Sequence, residues 1–360
     1  MKVAILSTVN LKHMTIVSIY MDYFKRKGIP YDLIYIDKYG EEEFNDAVNC
    51  YKFQLRIKRN WNPVRKALHY MKFRGFAKKY LKEGNYDFIV TWNMLTGMMF
   101  GHFLKKKFKG KYCLNIRDIG TSGNAVLKLA QNVAIRNCAF ATVSSPAFEK
   151  YLPKHEYLFM QSLNTSLLEK CQAHKKLKEK DEVINITYIG YVCYYDNCYK
   201  IIDSLCNDKR FKLRFYGEGT NLIKEYAESI GAKNVVVKGR FRIEETPDLI
   251  QDSDIIYNLY GNENINLRTA LSIKLYYAIY LHVPILVCEN TYMKEIADEL
   301  GIGITVKEMD SGFGDYLYDK YHQFDQTAID KNCNEHIKIV NKGNSEIFNR
   351  LDNIFSSLEG

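Results

Sequence analysis

Short, nearly all-apolar runs alternate along this chain with stretches in which apolar residues recur every three or four positions. The first kind of run predicts a buried strand, the second an amphipathic helix. In the first half the strand candidates are residues 3–6, 32–36, 88–92, 112–116, 139–143 and 157–160. In the second half they are 184–189, 212–216, 235–238, 255–259, 285–288 and 303–306. After Val306 only helical patterns remain, at 316–321 and 332–358. Strands regularly separated by helices mean βαβ units and parallel sheets. Two sets of six predict an α/β protein of two Rossmann-like domains, with a cleft between them and ligands at the carboxyl edges of the strands. The polar stretch LEKCQAHKKLKEKDE marks the linker. The expected organisation is a domain over 1–165, a linker over 166–182, a second domain over 183–340, and a helix over 341–360 that returns to the first domain.

One stretch, DSDIIYNLYGNENINLRTALSIKLYYAIYLHVPILV, stands out. It reads as a buried strand, a polar loop, a helix over about 269–281, a stop at Pro284 and a second buried strand. Asn262, Glu263, Asn264, Asn266, Arg268, Ser272 and Lys274 surround the expected helix N-terminus. Free N–H groups and roughly half a positive charge make such an end attractive to a phosphate or diphosphate.

Composition narrows the class. The chain has 360 residues and a net charge of +9, a length that favours two domains over one core. No apolar run reaches the roughly 18–20 residues that span a bilayer, and the N-terminus reads as a first strand, not a signal peptide. Nine scattered cysteines without CxxC spacing predict reduced thiols, no disulfide frame and no zinc site. Charge is uneven. Residues 52–82 hold eleven Lys and Arg, no Asp or Glu, and Phe53, Trp61, Tyr70, Phe73, Phe76 and Tyr80 among them. A basic helix with an aromatic and apolar side predicts docking on an anionic membrane surface, at about 1 kcal/mol per basic residue. A merely solvated face is the alternative. Nucleic acid is the other polyanion, but no RNA- or DNA-binding module is present. The first strand leads into STVNLKHMT, without the glycines of a dinucleotide fingerprint.

The order and spacing of YIGYVCYYDNCYKIIDSL, FKLRFYGEGTNLIKEYAESIGAKNVVVKGRF, DSDIIYNLY and KLYYAIYLHVPILV resemble the donor-binding domain of GT-B glycosyltransferases, nearest to family four of the retaining enzymes. LNIRDIG, ATVSSPAFEKYL and SLNTS extend the resemblance into the first half. It implies two domains, a nucleotide diphosphate sugar as co-substrate, no other cofactor, and work on bacterial capsule or other surface glycans at the cytoplasmic face of the membrane. The sequence departs from the family at four positions. Its paired glutamates would fall on Thr269 and Tyr277, and its diphosphate-clamping Arg and Lys on Tyr191 and Asp196.

Candidate donor-site residues follow. Gly190, ending the first strand of the second half, allows a phosphate close to the backbone, or is simply a tight strand exit. Gly217 and Gly219 form a strand-to-helix turn that the resemblance places near the donor. Arg240 and Phe241 follow the third strand of this half, where the family holds the nucleobase; a surface arginine is the other reading. Arg268, Leu271, Ser272, Ile273 and Lys274 are the expected diphosphate site, with two cations and a helix end offsetting the leaving-group charge without a metal. Tyr277 is either a ribose-binding hydroxyl or core packing. On the acceptor side, Asp118, Asn93 and His13 stand at carboxyl ends of strands; Asp118 is the candidate to orient or deprotonate an acceptor hydroxyl, or else a structural partner of the neighbouring loop. Trp92 either stacks on a sugar or is buried.

The reading is a metal-independent hexosyltransferase that moves a sugar, expected from a UDP-sugar, to a glycan or lipid-linked acceptor with retention. The alternative is an inactive relative that binds sugar nucleotides or serves as a partner subunit, which the missing glutamates motivate.

Overall fold

The computed structural model describes residues 1–14, 16–43, 45–56, 62–119, 125–171 and 176–359. It contains two compact units, Met1–Gln161 with Lys342–Gly360, and Ser162–Asn341. In the first, β1 (Val3–Ser7), β2 (Tyr31–Asp37), β3 (Asn49–Gln54), β4 (Phe88–Trp92), β5 (Tyr112–Ile116), β6 (Phe140–Val143) and β7 (Tyr157–Phe159) pair in the order β3-β2-β1-β4-β5-β6-β7. In the second, β8 (Ile184–Ile189), β9 (Phe211–Tyr216), β10 (Val235–Lys238), β11 (Ile255–Asn258), β12 (Ile285–Cys288) and β13 (Gly303–Val306) pair in the order β10-β9-β8-β11-β12-β13. All of these pairings are parallel. Both are doubly wound, and the strand order reverses at β1/β4 and at β8/β11, the switch points where such sheets bind ligands. Helices on both faces explain the unbroken apolar runs: Val3, Ala4, Ile5 and Leu6 are all fully buried.

Twelve of these strands were legible as apolar runs. The thirteenth, β3, was not. It is an edge strand with only partly buried side chains, so NCYKFQ carries no continuous apolar run. The basic segment 52–82 therefore divides. Its start lies on β3, and the helix Pro63–Glu83 begins at an Asn62 cap that accepts from the Arg65 N–H, with Pro63 in the first turn. Trp61 lies outside the described residues. The aromatics expected on a membrane-facing side are core instead. Phe53 and Phe76 pack together (5.3 Å between ring centroids), Phe73 packs on Phe53 and Phe100, and Tyr80 stacks on Tyr51 at 3.9 Å. The sheet needs covering helices, and this one covers it together with the helix Met94–Lys107.

The helix expected over 269–281 is two helices, Ile265–Thr269 and Ile273–Leu281. Asn264 caps the first through the Leu267 N–H. Ala270 and Ser272 are extended, and the Ser272 side chain accepts from the Lys274 N–H, restarting the helix. Serine at an N-cap competes with the helix it would otherwise continue. The chain ends in a single helix, Gln326–Glu359, where a separate piece from 341 was expected. Its last turns belong to the first unit. Phe348 stacks on Tyr23, Phe355 meets Phe88 edge-on, Tyr23 donates to Asp352 and Asn344 bonds both N–H and C=O of Gln161.

Candidate functional site

At the carboxyl edge of the second sheet, β8 is followed by Gly190, at φ 116°. Its N–H donates to the Tyr216 carbonyl at the end of β9. The next turn closes against it. A Cβ on Gly217 (φ 139°) would stand 1.9 Å from the Gly190 oxygen, and one on Gly219 would stand 2.6 Å from the Tyr195 hydroxyl. Loop packing on loop by itself requires glycine at 217 and 219. Gly190 differs. A Cβ there would meet a single side chain, the Lys274 ammonium, at 3.8 Å.

Lys274 is the unusual residue of this edge. The first turn of the helix Ile273–Leu281 turns it inward, and it is 3 % exposed. Its ammonium donates to the Tyr260 hydroxyl and lies 4.3 Å over the Tyr188 ring and 4.6 Å over that of Tyr260. Tyr194 packs on Tyr260, 4.7 Å between centroids. Among the described residues no carboxylate pairs with it. Ring faces and one phenol compensate a desolvated cation only in part: a cation–π contact is worth about 0.5–2 kcal/mol, and burying an ion still costs several kcal/mol after relaxation. The charge reaches its neighbours as well: burial pushes the Cys193 thiol up, and Lys274 pulls it partly back. The Ser272 oxygen caps the helix; Leu271 is buried and Ile273 half-buried beside it.

The other expected donor residues have partners of their own. Arg268 sits exposed on the separate short helix and donates to the Asn262 carbonyl at 3.1 Å. Among the described residues no hydrogen bond or ion pair joins it to Ser272 or Lys274. The restarted helix displaces it from the single helical tip in which both cations were expected. Arg240 pairs with Glu218 at 2.8 Å, next to the half-buried Phe241. Tyr277 is buried within its helix, which drives its phenol far above the usual range. Thr269 bonds back to the Ile265 carbonyl at 2.6 Å. Sequence reasoning overlooked Tyr188, Tyr194 and Tyr260; the tyrosine density of YIGYVCYY was the available signal.

On the first unit, His13, Asn93 and Asp118 stand just past the ends of the neighbouring strands β1, β4 and β5. Asn93 is at φ 66°, ψ 159°, and its side chain accepts from the Thr96 N–H (2.9 Å) and hydroxyl (3.0 Å) while bonding Thr8. That amide latches the β1 turn to the following helix. His13 is exposed and its Nε2 meets the Tyr39 hydroxyl at 2.9 Å. Asp118 is exposed, while Arg117 before it donates to the Met160 carbonyl and lies over Trp92. Trp92 is buried, edge-on to Tyr20. A hollow of about 240 Å³ elsewhere on this unit is lined by Glu42, Glu43, Asn45 and Lys52 and holds none of the expected residues.

Solved structures share this architecture over nearly the whole chain. Sucrose-phosphate synthase from Thermosynechococcus elongatus matches with a TM-score of 0.71 at 12% identity, covering 99% of both chains. Anabaena HepE in complex with UDP matches at 0.67 and 12% identity, over 98% of this chain and 100% of its own. WaaG, a glycosyltransferase involved in lipopolysaccharide biosynthesis, matches at 0.59 and 13% identity, over 94% and 95%. The fold is GT-B. No family model and no curated protein matches the sequence itself. At the GT-B switch point, then, this chain places an open glycine, a capped helix N-terminus and a buried lysine.

Proposed function

We propose that this chain is a glycosyltransferase that takes a sugar from a nucleotide diphosphate sugar, a UDP-sugar, and passes it to a glycan or lipid-linked acceptor of a bacterial surface polysaccharide or capsule. The single observation that carries this reading is the Lys274 ammonium, buried beside Gly190 at the β8/β11 switch point without a carboxylate partner among the described residues. A diphosphate placed there would supply the missing anion and meet the free N–H groups at Ser272. HepE, which has the same fold, was solved with UDP and with UDP-glucose.

In the proposed reaction the acceptor oxygen bonds to the sugar's anomeric carbon as the bond from that carbon to the phosphate oxygen breaks. Charge develops on the departing diphosphate, and Lys274 and the helix end stabilise it. Entry and departure on one face retain the anomeric configuration. Asp118 is the candidate to receive the acceptor's proton. Titration with UDP and UDP-glucose tests the site: Lys274→Met should weaken both roughly a hundredfold or more, since removing one partner of a desolvated charge pair costs about 2–5 kcal/mol. Unchanged affinity would sink the assignment.

The departures at Thr269 and Tyr277 favour a second reading, a nucleotide-sugar-binding protein without transfer activity, because neither buried side chain offers a carboxylate. Turnover on a panel of nucleotide sugars and lipid acceptors decides against it; tight binding without turnover decides for it.

The acceptor side of the proposal includes an anionic membrane at the cytoplasmic face. No helix among the described residues is long and apolar enough to cross a bilayer. On the helix Pro63–Glu83, however, Val64, Leu68 and Met71 are exposed a turn apart, among exposed Arg65, Lys72 and Lys79. Basic residues around a shallow apolar stripe suit an anionic leaflet. Leu68→Glu with Met71→Glu should abolish co-sedimentation with phosphatidylglycerol vesicles and leave nucleotide affinity intact; undiminished vesicle binding would remove this part of the proposal.

A further inference from the structure

We infer that Asn258 is a hydroxyl-reading residue of the donor site, its amide oxygen accepting a hydroxyl of the nucleotide sugar. The inference rests on the donor-site reading above and adds to it a residue outside the glycine turns and the helix tip.

Asn258 is the last residue of β11 and is 6 % exposed. Its side-chain oxygen is buried and accepts no hydrogen bond from any of the described residues. A central strand of an all-parallel sheet is covered on both faces and favours apolar side chains. Its neighbours Tyr257 and Leu259 conform. The other asparagines on strands among the described residues, buried or half-buried, have partners. Asn115 in β5 accepts from the Tyr20 hydroxyl at 2.8 Å and the Thr142 hydroxyl at 3.0 Å. Asn185 in β8 donates to Asp254 at 2.9 Å. A buried acceptor left unfilled destabilises the free protein; the hydroxyls of Tyr257 and Thr187 are also unpartnered, but Asn258 is the one at the carboxyl end of its strand, where a ligand can reach it.

Its position says what that ligand is. Ile255 and Ile256 lie opposite Ile186 and Thr187 of β8. Continuing this register sets Asn258 level with Ile189, one residue before Gly190, across a strand spacing of about 4.8 Å. Side chains alternate, so Asn258 shares a face with Ile256, opposite the Tyr257 ring that enters the core. The two strands that flank the switch point thus end in an open glycine beside a lysine and in an unfilled amide. A diphosphate at the lysine brings hydroxyls with it on either side, from the ribose and from the transferred sugar. An amide accepting one O–H and donating to the next oxygen is the chemistry that recognises adjacent hydroxyls.

Asn258→Leu, close in size and apolar, separates a ligand role from a structural one. The variant should melt at or above the temperature of the parent, because no bond within the free protein is lost. Calorimetric titration should show at least a tenfold loss of UDP-glucose affinity. An equal loss for UDP assigns the ribose hydroxyl; unchanged UDP affinity assigns the sugar hydroxyl. Should Asn258→Leu fail to fold, Asn258→Ser is read the same way. Parent-like affinity for both ligands in a variant whose Lys274→Met counterpart binds neither overturns the role of Asn258 and leaves the donor site standing. If the parent chain binds neither UDP nor UDP-glucose, the donor site and this inference fall together.

Discussion

The two sheets end differently at their carboxyl edges. At the first, polar side chains satisfy one another: Asn93 with Thr8 and Thr96, Asn10 with Asp37, and Asn115 with Tyr20 and Thr142. At the second, Lys274 is buried with ring faces and one phenol for company, and Asn258 has an empty acceptor. The first edge pairs these amides and hydroxyls within the fold, although Thr91 Oγ1 in β4 is buried there without a partner among the described residues; the second leaves a buried cation without a carboxylate among them. Buried polar groups without partners cost stability, and those of the second edge stand where doubly wound sheets bind ligands, the place of the proposed donor site.

Substitutions at Lys274 and Asn93 put this contrast to the test. The largest expected effect is that of Lys274→Met: a hundredfold or greater loss of UDP and UDP-glucose affinity, with the melting temperature held or raised. A desolvated ammonium without a carboxylate destabilises the free protein, and methionine fills similar space without a charge. A sharp fall in melting temperature together with intact nucleotide affinity would make Lys274 a structural residue and erase the difference between the edges.

Asn93→Ala should show the reverse and a smaller effect. Its backbone lies in a region that side-chain-bearing residues seldom occupy, at a cost of about 1–3 kcal/mol, and its amide bonds hold it there. Removing the cap costs roughly another 1–2 kcal/mol. The variant should therefore unfold at lower urea concentration while UDP affinity stays within error. A loss of UDP affinity would show that the first edge also holds the nucleotide.

The sequence conveyed architecture better than chemistry, for a physical reason. Strands buried on both faces, such as Phe88–Trp92 and Ile285–Cys288, announce themselves as continuous apolar runs, whereas the half-exposed edge strand Asn49–Gln54 does not. The basic segment had the right charge, but its rings were assigned to the wrong partner, because periodicity shows that a face is apolar without showing what covers it. Lys274 was legible from its place after Ser272. The tyrosines around it were not, since their convergence depends on the ends of β8 and β11 meeting across the switch point. Asn258 was hidden inside a run read as simply apolar. Only the hydrogen-bond accounting of the folded chain separates it from a satisfied core asparagine such as Asn115.

Arg268 gives the smallest and most discriminating test. A continuous helix over 269–281 would place Arg268 and Lys274 around one tip and make them equal clamps. The Ser272 cap divides that helix, and Arg268 is left exposed, bonded to the Asn262 carbonyl. An exposed cation acts on a phosphate mainly through solvent, over a Debye length of about 10 Å at 0.1 M salt and about 3 Å at 1 M. Arg268→Ala should weaken UDP less than about threefold at low salt, within the roughly 0–1 kcal/mol of a surface charge pair, and should have no effect at 1 M. Lys274→Met, whose charge is shielded from counter-ions, should keep its full effect at both ionic strengths. If the Arg268→Ala loss equals that of Lys274→Met and persists at 1 M salt, the short helix Ile265–Thr269 must re-pack on binding to bring its guanidinium onto the diphosphate, and the donor site then has two cations rather than one.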